Sequence, residues 1–130
     1  MINGILGRIH LASDLTLLSE RQFALVKEGV DCYKSLIDFK KSATPYIPKG
    51  FTSFGDNFVC AGLRKGAKAY LATWNLNGEL HQEVGLDKKI GSVKVLYPQS
   101  SPVKIEHQGG ALTMSFTKPY QAVLIEVEII

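Results

Sequence analysis

Apolar and polar positions along this chain follow two different rhythms, and the change falls between residues 41 and 58. From residue 19 to 41 the apolar side chains recur every three or four positions, the spacing that lines one face of an α-helix. Phe23, Val26, Val30, Tyr33 and Ile37 make one stripe, while Leu25, Cys32, Leu36 and Phe39 make a second beside it. Lys27, Asp31, Lys34 and Asp38 fall on the remaining, polar side. A helix lying on a single surface needs a stripe of ~100°, whereas these two together take up about half the circumference. The helix is therefore expected to have two neighbours. Its ends are marked as well: Ser19 and Gln22 have the spacing of a capping box, Leu18 and Phe23 occupy the staple positions, Lys40 and Lys41 suit the negative end of the dipole, and Pro45 prevents continuation.

Residues 42–57, with Pro45, Pro48, Gly50 and Gly55, keep neither period and read as an ordered linker. Beyond them the rhythm drops to two. Segments 58–64, 68–76, 79–84, 93–97, 103–107, 111–117 and 121–129 alternate or run apolar between turn residues, which predicts about seven strands. Asn77-Gly78 is a strong two-residue hairpin signal, and Lys65-Gly66 and Gly109-Gly110 are weaker ones. Hairpins without intervening helices imply an antiparallel β-sandwich or a partly closed barrel. Leu112, Met114 and Phe116 alternate with Thr113, Ser115 and Thr117, so that strand has one dry side and one wet side. In 68–76, Tyr70, Ala72 and Trp74 lie on one face and Ala69 and Leu71 on the other, the pattern of a central strand covered twice. The chain thus divides into 1–41 with a loop and a long helix, 42–57 as linker, and 58–130 as an antiparallel β-sandwich.

Composition narrows the function classes without choosing one. With 45% hydrophobic residues and 12 glycines the chain is an ordinary folded protein. No apolar run approaches the roughly 18 residues a membrane-spanning helix needs, and no charged-then-apolar leader opens the sequence. Two cysteines, Cys32 and Cys60, sit in apolar surroundings typical of reduced, buried thiols, which points to a cytoplasmic setting. Fifteen basic residues against 12 acidic give a net charge of +3, but the lysines are scattered among acids, with Lys40-Lys41 and Arg64-Lys65 the densest spots. Nucleic-acid binding requires a concentrated basic face and is not expected.

Candidate chemistry is sparse. Glu126 and Glu128 lie two apart on a strand, which sets their carboxylates about 7 Å apart on one face, within the range spanned by the carboxylate pairs of glycosidases. Val123, Ile125, Val127 and Ile129 point the other way, so the glutamates fall on the natural water face. His10, His81 and His107 share no ligand spacing with each other or with a cysteine or carboxylate cluster. No Gly-x-Ser-x-Gly elbow is present, and Gly4 to Gly7 lacks the Lys-Ser/Thr of a phosphate loop. Trp74, Tyr97 and Tyr120 could form a sugar-stacking platform, although Trp74 stands in the most apolar strand, where core packing is the natural role. No residue is nominated as catalytic, cofactor-binding or metal-ligating, and no cofactor is expected.

"GRIHLASDLTLLSERQFALVKEGVDCYKSL", residues 7–36, resembles the C-terminal part of melibiase-type α-galactosidases, which are retaining glycoside hydrolases. "ATPYIPKG", "FVCAGLRKGAKAYLATWNLNG" and "VKVLYPQ" follow in the same order and look like the linker and closing sheet of those enzymes. The resemblance implies a catalytic (β/α)8 barrel, bearing one aspartate as nucleophile and one as acid/base, against which a C-terminal antiparallel sandwich packs. Residues 3–14 are then similar to the loop leaving the last barrel strand, and 19–41 to the last barrel helix. The strands that bear both aspartates have no counterpart in these residues, and Asp14, Asp31, Asp38, Asp56 and Asp87 match neither motif. The expected function is that of a non-catalytic C-terminal module supporting the barrel of a parent enzyme, with possible homo-oligomer contacts and the α-galactoside substrate engaged only through the parent. A free-standing carbohydrate-binding or interaction sandwich is the alternative.

Overall fold

A computed structural model describes residues 1–130. Two α-helices, α1 (Ile2–Leu6) and α2 (Glu20–Lys40), with a short 3-10 turn (Leu15–Leu17) between them, precede eight strands: β1 (Thr44–Tyr46), β2 (Phe58–Lys65), β3 (Lys68–Asn75), β4 (His81–Gly85), β5 (Ile90–Tyr97), β6 (Lys104–Gln108), β7 (Ala111–Ser115) and β8 (Gln121–Ile129). A five-stranded sheet of order β1-β2-β3-β8-β5 faces a three-stranded sheet of order β4-β7-β6, and all pairings are antiparallel. The antiparallel sandwich expected from the period-two segments is therefore present. No helix is long and apolar enough to cross a membrane.

The core between the sheets comes from the inward side of each alternation. Cys60, Leu71, Val84, Leu112, Met114, Val123, Ile125 and Val127 are wholly excluded from solvent. On β7 the dry side is Leu112 and Met114, continued by Phe116, as the sequence predicts. β3 is central and covered twice: Ala69 and Leu71 enter the inter-sheet core, while Tyr70 and Ala72 belong to a second cluster on the outer face of the larger sheet. That second cluster joins Ile2 and Ile5 of α1 with Leu36 of α2 and Leu124 of β8. The helices thus form a third, partial layer.

Helix α2 starts where its sequence says. Ser19 Oγ accepts from the Gln22 backbone N–H at 3.3 Å, and the Gln22 side chain accepts the Ser19 N–H at 2.9 Å, which closes the capping box. Three local expectations are corrected. The segment 42–57 is not wholly irregular, because residues 44–46 pair with 62–64 as the edge strand β1; Pro45 fits there because an edge strand has one side without a ladder partner for its missing N–H. Residues 3–6, expected as loop, belong to α1, a single turn with no side-chain cap whose stability comes from burying Ile2 and Ile5.

The third correction concerns Asn77-Gly78, which is no hairpin. The tight turn exists, held by Asn75, whose Oδ1 accepts the Gly78 N–H at 2.8 Å and whose Nδ2 donates to the Glu79 carbonyl at 3.2 Å. It carries the chain from β3 in one sheet to β4 in the other, where β4 pairs with β7. The weaker signals are the true hairpins: Gly66 follows β2 and Gly109 precedes β7, each at φ 59°, the left-handed region glycine reaches without strain.

Candidate functional site

The side chains of α2 fall into two groups according to what they meet. Its inner side faces the sheet: Leu36 is buried, the Phe39 ring stands edge-on to Tyr70 with centroids 4.5 Å apart, and Tyr97 donates its hydroxyl proton to the Leu25 carbonyl at 3.2 Å. Gly29 stands against the same ring, where a Cβ would meet Tyr97 at an ordinary contact distance of 3.4 Å. Beside that inner line, Lys40 bends back over α1, donating from Nζ to the carbonyls of Ile5 at 2.9 Å and Gly7 at 3.1 Å. It thereby satisfies carbonyls at the C-terminus of α1. Its ammonium also lies 3.7 Å from the centre of the Tyr33 ring, and burial pulls its pKa below the ordinary lysine value.

The other stripe remains at the surface. Phe23 is 49% exposed and Ile37 38% exposed, with Val26 and Val30 half-buried between them. The sheet and α1 supply one of the two neighbours that the doubled apolar arc calls for, and this flank meets no second one within the chain. A separate apolar hollow of about 460 Å³ opens on the outer face of the larger sheet, lined by Asn3 and Leu6 of α1 together with Val59, Ala61, Trp74 and Leu76. Sequence reasoning did not single out Val59 and Ala61, although their alternation with the buried Cys60 carries the signal.

The aromatic trio does not assemble. Tyr97 is buried beneath α2, Trp74 lines the hollow, and Tyr120 is 78% exposed in a loop residue with φ 57°. Glu126 and Glu128 share one lysine: Lys68 Nζ lies 3.4 Å from the first and 3.9 Å from the second. Burial, and then the neighbouring Glu126, raises the Tyr70 hydroxyl above its ordinary pKa. The remaining named acids are held in local structure. Asp14 accepts from the Thr16 backbone and hydroxyl, Asp38 pairs with Lys41 at 2.7 Å, and Asp56 accepts the Ser53 N–H at 2.7 Å.

Asp87 has the most elaborate environment. Arg64 Nη1 donates to both of its oxygens, at 2.7 and 2.8 Å, and the Tyr46 hydroxyl donates at 2.7 Å. The Arg64 guanidinium and then the Tyr46 hydroxyl hold this carboxyl down at about 2. The network was not anticipated, because its members lie 23 and 41 residues from Asp87 in the chain.

An open hollow of about 480 Å³ along α2 brings Glu28 and Asp31 beside Cys32. Glu28 is engaged there as acceptor of the Gln99 N–H at 2.7 Å, and burial followed by Glu28 raises the Cys32 thiol. Cys60, deep in the core, is pushed up to about 12 by burial, so its thiol carries no nucleophilic thiolate near neutrality. His10, His81 and His107 stay apart, His81 Nδ1 lying 3.3 Å from Ser115 Oγ. No group of three or more histidine, cysteine, aspartate or glutamate side chains gathers closely enough to hold a metal ion. What the arrangement offers is an exposed apolar flank on α2 and a tryptophan-walled hollow beside α1.

No family model matches this chain, and no curated protein matches it. Among solved structures it is similar to α-L-fucosidase isoenzyme 2 from Paenibacillus thiaminolyticus, at 11% identity and a TM-score of 0.36, over 83% of this chain and 19% of that one. The chain thus spans about a fifth of the length of that protein.

Proposed function

We propose that this chain is a non-catalytic, C-terminal sandwich module of a larger α-galactosidase-like glycoside hydrolase, and that α2 is the element by which it backs onto the catalytic barrel. The observation that carries this reading is the two-sided helix. One apolar side of α2 seals the sandwich, and the other, Phe23, Val26, Val30 and Ile37, is left at the surface. A barrel helix packed between its own barrel and a closing sandwich needs such a pair of sides. The resemblance of residues 7–36 to melibiase-type enzymes supports the same assignment. On this reading the barrel supplies the acids and binds the α-galactoside, and the sandwich buries one side of it, with contacts between copies as a further role.

Two measurements test it together. Purified chain incubated with nitrophenyl α-galactoside is expected to release no nitrophenol above the blank. The gene upstream of the Met1 codon is expected to encode, in frame, a barrel with aspartates at its strand ends. Hydrolysis that vanishes on Glu126→Gln or Asp31→Asn overturns the reading, and so does an upstream region with no barrel.

A second reading has one specific observation in its favour. Trp74, the single tryptophan, lines an accessible hollow beside the half-buried Leu6 and Val59, a setting in which a pyranose face can stack. Because no other tryptophan contributes, its fluorescence reports on that hollow alone. A saturable change on titration with raffinose, absent with a non-sugar polyol, favours a free-standing carbohydrate-binding module.

A further inference from the structure

The bare flank of α2 has a charged border as well as an apolar centre. Lys27, Lys34 and Lys41 recur every seven residues, which sets them about 10.5 Å apart in a column along the helix. That column runs on the side of the stripe away from α1, since Tyr33 and Lys40 border α1. Lys41 is bound to Asp38, whereas Lys27 and Lys34 take part in no ion pair. At the opposite border stands Lys40, its ammonium over the Tyr33 ring and bound to the Ile5 and Gly7 carbonyls. Asp31 stands one step further round the helix, beyond the lysines, lining the hollow with Glu28. A partner approaching the stripe therefore meets apolar surface edged by positive charge.

We infer that the Phe23, Val26, Val30 and Ile37 flank docks an amphipathic helix whose own borders are acidic, carried by protein outside these 130 residues. The inference rests on the reading above that this flank is a docking face, and it adds the chemistry of the partner. Helix-on-helix packing uses a seam repeating every three to four residues, which 23, 26, 30, 33 and 37 provide. Charges beside such a seam decide the partner. A second copy of this chain is disfavoured by the same charges: an antiparallel self-pairing of α2 sets lysine column against lysine column.

Two fluorescein-labelled synthetic helices of 21 residues test this, sharing one leucine and isoleucine seam, with glutamate borders in the first and lysine borders in the second. Binding to the intact 130-residue chain is followed by anisotropy. The glutamate-edged helix is expected to bind at least tenfold tighter in low salt, with the ratio falling toward one at high salt as the charges are screened. Lys27→Glu combined with Lys34→Glu reverses the preference. Val30→Asp abolishes binding of the glutamate-edged helix, while circular dichroism confirms that each variant remains folded. Equal affinity for both helices, no binding of the glutamate-edged helix, or binding that survives Val30→Asp overturns the inference, as does sedimentation showing that the chain pairs with itself through Val30. These outcomes are separable from those of the parent reading. Equal affinity removes the acidic border while a barrel upstream still stands, and a missing barrel leaves a preference for the glutamate-edged helix intact.

Discussion

Two glycines at close contacts respond differently to the same methyl group. Gly62 of β2 lies opposite Leu71 of β3, and a Cβ there would run into the Tyr70 carbonyl oxygen while also standing 2.8 Å from the Tyr70 carbonyl carbon and 2.9 Å from the Leu71 Cα. These are backbone atoms of a central strand and cannot step aside. Gly62→Ala is therefore expected to cost at the upper end of the ~1–3 kcal/mol typical of overpacking, or to prevent folding. Gly29 of α2 is crowded by the terminal methyl of Met1 at 2.6 Å, the far end of a flexible side chain, and its next contact is the Tyr97 ring at an ordinary 3.4 Å. Removing a helical glycine restores up to ~1 kcal/mol of propensity, so Gly29→Ala is expected to raise the thermal midpoint. Thermal unfolding of both variants checks the pair, and equal destabilisation would contradict it. Neither difference is legible in the sequence, which shows two glycines in apolar segments and says nothing of what stands across from them.

At the scale of elements, the sequence speaks clearly where a signal is local and repeated. The start of α2 was readable because Ser19 and Gln22 satisfy each other's backbone donors within one turn. Ser19→Ala leaves the Gln22 N–H to water and is expected to lower stability by ~1 kcal/mol, whereas Ser19→Asp, which can still accept from the Gln22 N–H, should retain most of it; denaturant midpoints separate the two. The alternation of β3, β7 and β8 was likewise readable because burial enforces it residue by residue. Asn77-Gly78 misled because turn chemistry states that the chain reverses, not which strand the next segment will pair with. In this protein Asn75 holds the turn while β4 goes to β7. β1 was missed because its three residues include a proline and take their extended shape from pairing with β2. The exposed flank of α2 was half legible: the doubled stripe showed in the apolar spacing, but only the fold reveals which stripe the sheet takes.

At the scale of the whole molecule, a network of charged and hydroxyl side chains ties the two sheets together. Tyr46 and Arg64 belong to β1 and β2 of the larger sheet, while Asp87 lies in the connection leaving β4 of the smaller one, so their network fastens the rim of the sandwich. Tyr46 also packs against the inter-sheet core, and the Arg64 guanidinium lies 5.1 Å from the centre of its ring. The acid behaviour follows from the carboxyl's pKa of about 2, below the ordinary aspartate value of 3.8. A depressed carboxylate pKa contributes stability that is fully present above the ordinary value and drains away as pH falls through the folded one, a window from about pH 4 to about pH 2. Asp87 is more than half exposed, so solvent screens the tie and the contribution is modest. Asp14 and Asp38 are also lowered, each by a hydrogen bond first of all, and add to the acid sensitivity of the native chain. The informative quantity is thus a difference. Asp87→Asn keeps the shape and an acceptor for Tyr46 but removes the titration, so the gap in thermal midpoint between native chain and variant is expected to be largest at neutral pH and to close between pH 4 and pH 2. Added salt should narrow the neutral gap and, by the same linkage, raise the pH at which its closure is complete. A gap that stays constant through that range would mean that Asp87 acts through packing alone, and that the rim is held by β1 against β2 without help from the charge.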